Sequence, residues 1–171
     1  MQMVKKGIVL MIVLWLSILV LMPKQELYYK LEEALAAYDI KLNEKTIDTG
    51  PFSLTLKDVT LYAKGINVGT IKEVKLFTLL FYNRMALESL HLDDSLKNMM
   101  PQETEQAAAV YSLFSPLGVS LEASGSFGNM EGFADLKERK VRLDFNESKN
   151  IEMLKPQLKQ DEKGWFYETS F

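Results

Sequence analysis

The sequence predicts an N-terminal single transmembrane helix followed by a mainly β (α+β) domain, built on a curved antiparallel sheet with an amphipathic helix at its start. Three observations lead there. Residues 7–22 form a run of sixteen without a charge. Residues 24–38 carry apolar side chains at helical spacing. From Phe52 onward, apolar and polar residues alternate one for one through several separate stretches.

Composition narrows the function classes. The chain has 171 residues, a net charge of −3, 47% hydrophobic and 25% charged residues, and no cysteine. These values fit a folded protein and exclude a disordered or collagenous one. Without cysteine there is no disulfide framework, thiolate metal site or thiol nucleophile. A single histidine leaves little room for His-based catalysis or zinc chemistry. The mildly acidic balance argues against nucleic acid, whose phosphates require clustered Lys and Arg.

The first element is GIVLMIVLWLSILVLM, preceded by Lys5 and Lys6. As a helix it covers about 24 Å, a little less than the roughly 30 Å of bilayer hydrocarbon. Its Leu, Ile and Val residues favour insertion by roughly 3–7 kcal/mol in total. Leu10, Leu14, Trp15 and Ile18 are the expected membrane anchor. A cleaved signal peptide begins in the same way, but it needs small residues before the cut, and none follows Ser17 in the run. Lys5 and Lys6 before the segment favour a cytoplasmic N-terminus. The expected location is therefore a bacterial inner membrane, crossed once, with the C-terminal domain in the periplasm.

The expected organisation is a cytoplasmic stub at 1–6, the transmembrane helix at 7–22, an amphipathic helix at 23–38 and a periplasmic β-rich domain at 39–171. In KQELYYKLEEALAAY, Leu27, Leu31 and Leu35 fall four apart, with Glu26, Lys30, Glu32 and Glu33 on the opposite face. Pro23 either kinks a continuous helix or starts a new one. The apolar stripe packs on the following domain or lies along a bilayer surface.

After Tyr38 the period changes to two. Phe52, Leu54 and Leu56 alternate with polar residues, then Val59, Leu61 and Ala63 do the same, with Asp58 between the runs. Residues 70–77 and 85–92 read as further strands, the pattern of a sheet with one dry face. Residues 94–114, which include Met99 and Met100, break it as an irregular or helical insert, and Pro101 can start a helix over 102–114. Strand signals resume at Val119, Leu121 and Ala123. Residues 133–136 and 141–145 form a hairpin around the charged turn 137–140, residues 150–160 read as a short helix, and 164–171 as a terminal strand.

Motifs for chemistry are sparse. His91 lies near Asp93 and Asp94, but no Ser stands in a nucleophile-elbow context. Asp93 and Asp94 have no spaced set of oxygen ligands around them, so no metal site is expected. Gly125, Gly128 and Gly132 are not followed by the Lys-Ser/Thr of a phosphate loop and read as strand bends. Lys137, Arg139, Lys140 and Arg142 read as a solvated turn. Residues 144–148 (DFNES) match the acidic bacterial glycosylation sequon, with Asn146 as acceptor. Neither catalysis nor a cofactor is expected. A single sheet this size leaves an apolar face that two helices either cover as a core or leave as a trough. The trough candidates are Phe52, Leu54, Leu56, Val59, Leu61, Leu121, Leu143 and Phe145, suited to an acyl chain or an apolar partner.

Residues 22–32 (MPKQELYYKLE), 53–62 (SLTLKDVTLY), 64–69 (KGINVG) and 71–74 (IKEV) together resemble the start of proteins of the type II secretion system protein N family, and more broadly AsmA-like envelope proteins. The resemblance covers about residues 1–80. It implies an inner-membrane protein with a β-groove domain. It further implies either scaffold or assembly work in a type II secretion-like protein-transport system, with envelope or secretion proteins as partners, or the binding and transfer of lipid. It carries over no catalytic residues.

Overall fold

A computed structural model describes residues 2–21, 24–79, 81–96, 101–146, 151–152, 154–162 and 164–171. Met22, Pro23, Met99, Met100 and Ser148 lie outside the described residues, as does the side chain of Leu27. Two helices precede a run of strands: α1 (Gln2–Leu21), α2 (Lys24–Ala36), β1 (Ile40–Asn43), β2 (Thr46–Thr49), β3 (Ser53–Ala63), β4 (Ile66–Leu79), β5 (Tyr82–Leu92), β6 (Glu103–Ser112), β7 (Gly118–Gly125), β8 (Gly128–Asp135), β9 (Lys140–Phe145), β10 (Lys159–Asp161) and β11 (Gly164–Ser170). All eleven strands join one antiparallel sheet in the order β1-β3-β4-β5-β6-β7-β8-β9-β11-β10, with β2 beside β1 along β3.

The expected transmembrane helix is corrected here, and with it the single-pass inner-membrane location. Among the described residues no helix is long and apolar enough to cross a membrane. The physical reason lies in the run itself: α1 has 20 residues, but Lys5 and Lys6 occupy its first turns. The uncharged part is about 24 Å long against roughly 30 Å of hydrocarbon. The fold class is accordingly mainly antiparallel β, preceded by short helices.

The insert expected at 94–114 is also corrected. Residues 94–96 form one 3₁₀ turn, and Glu103–Ser112 is a central strand paired on both sides. Its alanines favour helix in isolation, but two flanking strands offer it a complete ladder of backbone hydrogen bonds, and that context prevails. The helix expected at 150–160 reduces to a 3₁₀ turn at Lys155–Gln157, limited by Pro156, before β10. The two short strands at 40–49 were not expected.

Turns hold the meander in register. Lys64 (φ 51°) and Gly65 (φ 78°) form the two-residue link between β3 and β4. Positive φ at both positions matches the right-handed twist of the flanking strands, and Gly65 adopts it without steric cost. Before β9, Asp135 Oδ1 accepts from the backbone N–H groups of Lys137 (2.8 Å) and Glu138 (2.9 Å), which folds the charged turn back on itself.

A line of irregular positions crosses the first strands. Lys57 pairs with Glu73 and Val59 with Ile71, which leaves Asp58 opposite Lys72; the same count on β5 puts Ser89 next in line. Asp58 (φ 51°) and Ser89 (φ 53°) both have left-handed backbone. On β6 the register shifts between Thr104 and Gln106. Pairing at Asp58 stays one to one, the β3–β4 register shifting only between Leu61 and Tyr62, and it is the left-handed backbone that resets the inward–outward alternation by one residue. Leu56 and Val59 therefore both reach the inner cluster although they are three apart. The break at Asp58 in the sequence pattern is this feature.

The core is small. Tyr28 of α2 is buried with Leu54, Leu56 and Val59, and Leu42, Ile47, Ile71, Val74 and Leu76 pack around them. Tyr28 Oη donates to Glu44 Oε2 at 2.7 Å, so the buried ring still satisfies its hydroxyl. At the other end of the sheet Phe127, Ala134 and Ile151 are buried, and the Phe127 ring meets Phe145 edge-on. Lys155 stands over the Trp165 ring at 5.9 Å, so its side chain covers the same face there. Among the described residues only these seven apolar side chains are buried.

Candidate functional site

Strand register divides the sheet into two chemically distinct faces. The outer face carries ion pairs: Lys57 with Asp48 (2.8 Å), Lys75 with Glu73 (2.7 Å) and Glu88 (3.4 Å), and Arg142 with Asp144 (2.7 Å) and Asp161 (2.6 Å). Arg142 also lies over the Phe166 ring at 4.0 Å. Exposed pairs of this kind add little stability but keep the face wet.

The inner face is apolar and runs across the strands in rows. In one, Leu76 pairs with Met85, Met85 with Ala109, Ala109 with Leu121, and Gly132 lies between Leu121 and Leu143. The adjacent row joins Val74, Leu87, Ala107, Ala123, Met130 and Phe145. Small residues on β6–β8 lower the floor between the larger side chains of β5 and β9. A Cβ at Gly132 would lie 2.5 Å from Leu143 Cδ2 and 3.4 Å from Leu121 Cβ, so the two leucines lean into the space the glycine leaves.

Cover over this face is uneven. At the β1–β4 end Tyr28 seals Leu54, Leu56 and Val59. At the β9–β11 end Lys155 stands over Trp165 and Ile151 is buried. In between, Leu87, Ala107, Ala109, Leu121, Ala123, Met130 and Leu143 are only half-buried and Met85 is exposed. These eight side chains form an open apolar strip, the trough, over β5–β9, whereas the concavity over β5–β8 is lined by the outer-face side chains of Arg84, Glu88, Gln106, Glu122 and Glu131. Five strands at about 4.8 Å spacing make the trough roughly 19 Å long.

The structure sorts the expected site residues accordingly. Leu121 and Leu143 line the open trough. Phe145 lies at its far end against Phe127, and Phe52 and Leu61 are half-buried beside the α2 cluster. Leu54, Leu56 and Val59 are core residues. Met85, Leu87, Ala107, Ala109, Ala123 and Met130 were missed. Three of them were hidden by the misreading of 94–114 or by their own small size. The available signal was Ala107, Ala109 and Tyr111 at alternating positions ahead of the strand at Leu121. On α1, Leu10, Leu14, Trp15 and Ile18 are exposed. Asn146 is exposed at the end of β9, its N–H donating to the Asn129 carbonyl (3.1 Å).

The polar candidates do not converge. His91 is exposed on the outer face, with Nδ1 3.5 Å from Glu103 Oε1. Asp93 accepts from the Ser95 N–H at 3.0 Å, and that bond holds its carboxyl below the usual range. Asp94 accepts from Gln102 Nε2 at 3.1 Å. Both carboxylates thus fasten the turn between β5 and β6. No group of three metal-ligating side chains occurs among the described residues. The Tyr28 hydroxyl is raised well above its ordinary value, chiefly by burial and then by the Glu44 carboxylate it donates to.

No family model, curated protein or solved structure matches the chain.

Proposed function

We propose that this chain is a non-catalytic lipid-binding protein that lays an acyl chain along the open trough of its sheet. One observation carries the reading: the apolar rows are continuous across the sheet, yet among the described residues they are covered only at their two ends. Half-buried apolar rows of this extent are normally either covered by a second layer or used for binding. The trough is apolar along its length, roughly one fatty chain long, and floored by small residues, which suits a flexible hydrocarbon better than a rigid polar metabolite. Of the two roles implied by the resemblance of the opening segments to AsmA-like and type II secretion proteins, lipid handling is the one that uses this face.

The test is native mass spectrometry of the full chain after incubation with palmitate and, separately, with phosphatidylglycerol. A one-to-one adduct is expected, and Ala123→Trp, which fills the middle of the trough, is expected to abolish it while leaving the melting curve in place. No adduct with either lipid, or an adduct that survives Ala123→Trp, would overturn the reading.

A further inference from the structure

We infer that the rim of the sheet formed by the β2–β3, β4–β5, β6–β7 and β8–β9 connections seats against the surface of a lipid bilayer. This surface is distinct from the trough, and its case does not depend on the trough being occupied.

The register places these connections together. Ser53, Phe77, Arg84, Val110, Ser120, Phe133 and Arg142 follow one another across the sheet, so the loops next to them emerge at one edge. That edge exposes Phe81, Leu113, Phe114, Leu117, Leu136 and the terminal Phe171. Phe114 is 90% exposed and meets Phe81 edge-on at 6.4 Å. Among the described residues the opposite edge is more polar: Lys64, Gly65, Asp94, Ser95, Ser126 and Asn146 are exposed at its turns, beside the apolar Ile66 and Tyr38. Aromatic and aliphatic side chains from four loops far apart in sequence thus gather at one end of the strands. A scatter of single surface apolar residues would not sort itself by edge.

Two further observations select a bilayer as the occupant. First, the base of α1 lies at this same rim. Val20 and Lys24 line a cleft with Thr49, Gly50 and Pro51 of the β2–β3 connection. The apolar side chains of α1 are exposed around its circumference, Leu10, Leu14 and Ile18 among them. A helix apolar on all sides has no single docking stripe for a protein partner. Gln25 and Glu26 complete the lining of that cleft, so the helix base and the rim are neighbours with a polar seam between them. Second, Lys137 and Arg139 stand beside Leu136 in the β8–β9 turn, where Lys140 pairs with Glu138 at 3.4 Å. Long cations at the border of an apolar patch reach lipid headgroups while their stems stay in contact with the acyl region. No element need cross the bilayer for this contact.

The absence of cysteine allows a direct test on the full chain. Phe114→Cys and Ile66→Cys are each labelled with nitrobenzoxadiazole. Ile66 is 66% exposed and apolar but lies at the more polar edge, so it is the matched control. Vesicles of phosphatidylethanolamine and phosphatidylglycerol, with and without nitroxide-bearing acyl chains, are the probe. The label at 114 is expected to shift to the blue and to be quenched by the nitroxide, and the label at 66 to do neither. The triple variant Leu113→Asp, Phe114→Asp, Leu117→Asp is expected to bind these vesicles about tenfold more weakly. A label at 114 that stays as wet as the one at 66 on vesicle-bound protein would overturn the inference. So would a blue shift without vesicles that grows with protein concentration, since the rim would then meet a second copy. Loss of acyl-chain binding in the trough changes neither signal, so the two proposals fail separately.

Discussion

Leu54 and Leu121 occupy the same inner face, and replacing each by aspartate separates a sealed core from an open trough. Leu54 is 4% exposed beneath Tyr28. Removing its side chain from that contact costs about 1.5–3 kcal/mol. An unpaired carboxylate in its place costs roughly another 3–5 kcal/mol. The sum is comparable to the whole stability of about 5–15 kcal/mol expected of a domain, so Leu54→Asp is expected to unfold the protein. Leu121 is half-buried, with its outer side open. There the carboxylate keeps its hydration, and the loss is about 1 kcal/mol, a fall of roughly 2–4 °C in melting temperature. Binding of parinaric acid, followed by its fluorescence, is expected to weaken about tenfold or more in Leu121→Asp. Thermal scans by circular dichroism supply the other readout. If Leu121→Asp unfolds as completely as Leu54→Asp, the trough is closed and the reasoning fails.

Other consequences follow from individual contacts. Tyr28→Phe removes the donor to Glu44 from a buried site and should cost about 1–3 kcal/mol in chemical denaturation. The Tyr28 hydroxyl is raised in the folded state, so its contribution is complete below the unfolded value of about pH 10 and is lost as pH climbs beyond it. The stability difference between wild type and Tyr28→Phe should therefore shrink in alkaline titrations and stay constant near neutrality. Gly69→Ala places a Cβ 2.5 Å from the His91 carbonyl oxygen and 3.1 Å from Leu92 Cα, both backbone. A loss of about 1–3 kcal/mol is expected, and an unchanged melting curve would contradict the β4–β5 register. Asp58→Val puts a β-branched residue at φ 51° and should cost about 1–2 kcal/mol or more, whereas Asp58→Asn should be nearly neutral.

Much of the sheet was legible because alternation and turn residues agree. Residues 52–63 announce both a strand and its interruption, since Asp58 stands where the apolar spacing changes from two to three. The strand read over 70–77 begins earlier, at Ile66, because Gly65 to Gly69 read as a break while the turn itself is only Lys64-Gly65. The strand at 103–112 was not legible, because Gln106 and the alanines after it have helical propensity and only their neighbours on both sides hold them extended. Short β1 and β2 carry too few residues for periodicity to register, and each exists through pairing with β3. The division of the apolar face was beyond the sequence for a different reason. Leu54, Leu56 and Leu121 share one pattern, and only the docking of Tyr28 distinguishes core from trough. The first segment misled through its composition: its apolar density is that of a spanning helix, while its uncharged length falls short of one.

The most direct measurement of acyl-chain binding is photocrosslinking of the full chain with palmitate that carries a diazirine along its chain, followed by peptide mapping. Label is expected on the peptides bearing Leu87, Leu121, Met130 and Leu143, with none on the outer-face residues Glu122 and Glu131. Label confined to α1 and the rim loops, or spread without preference for the inner face, would contradict the proposal that the trough holds the chain.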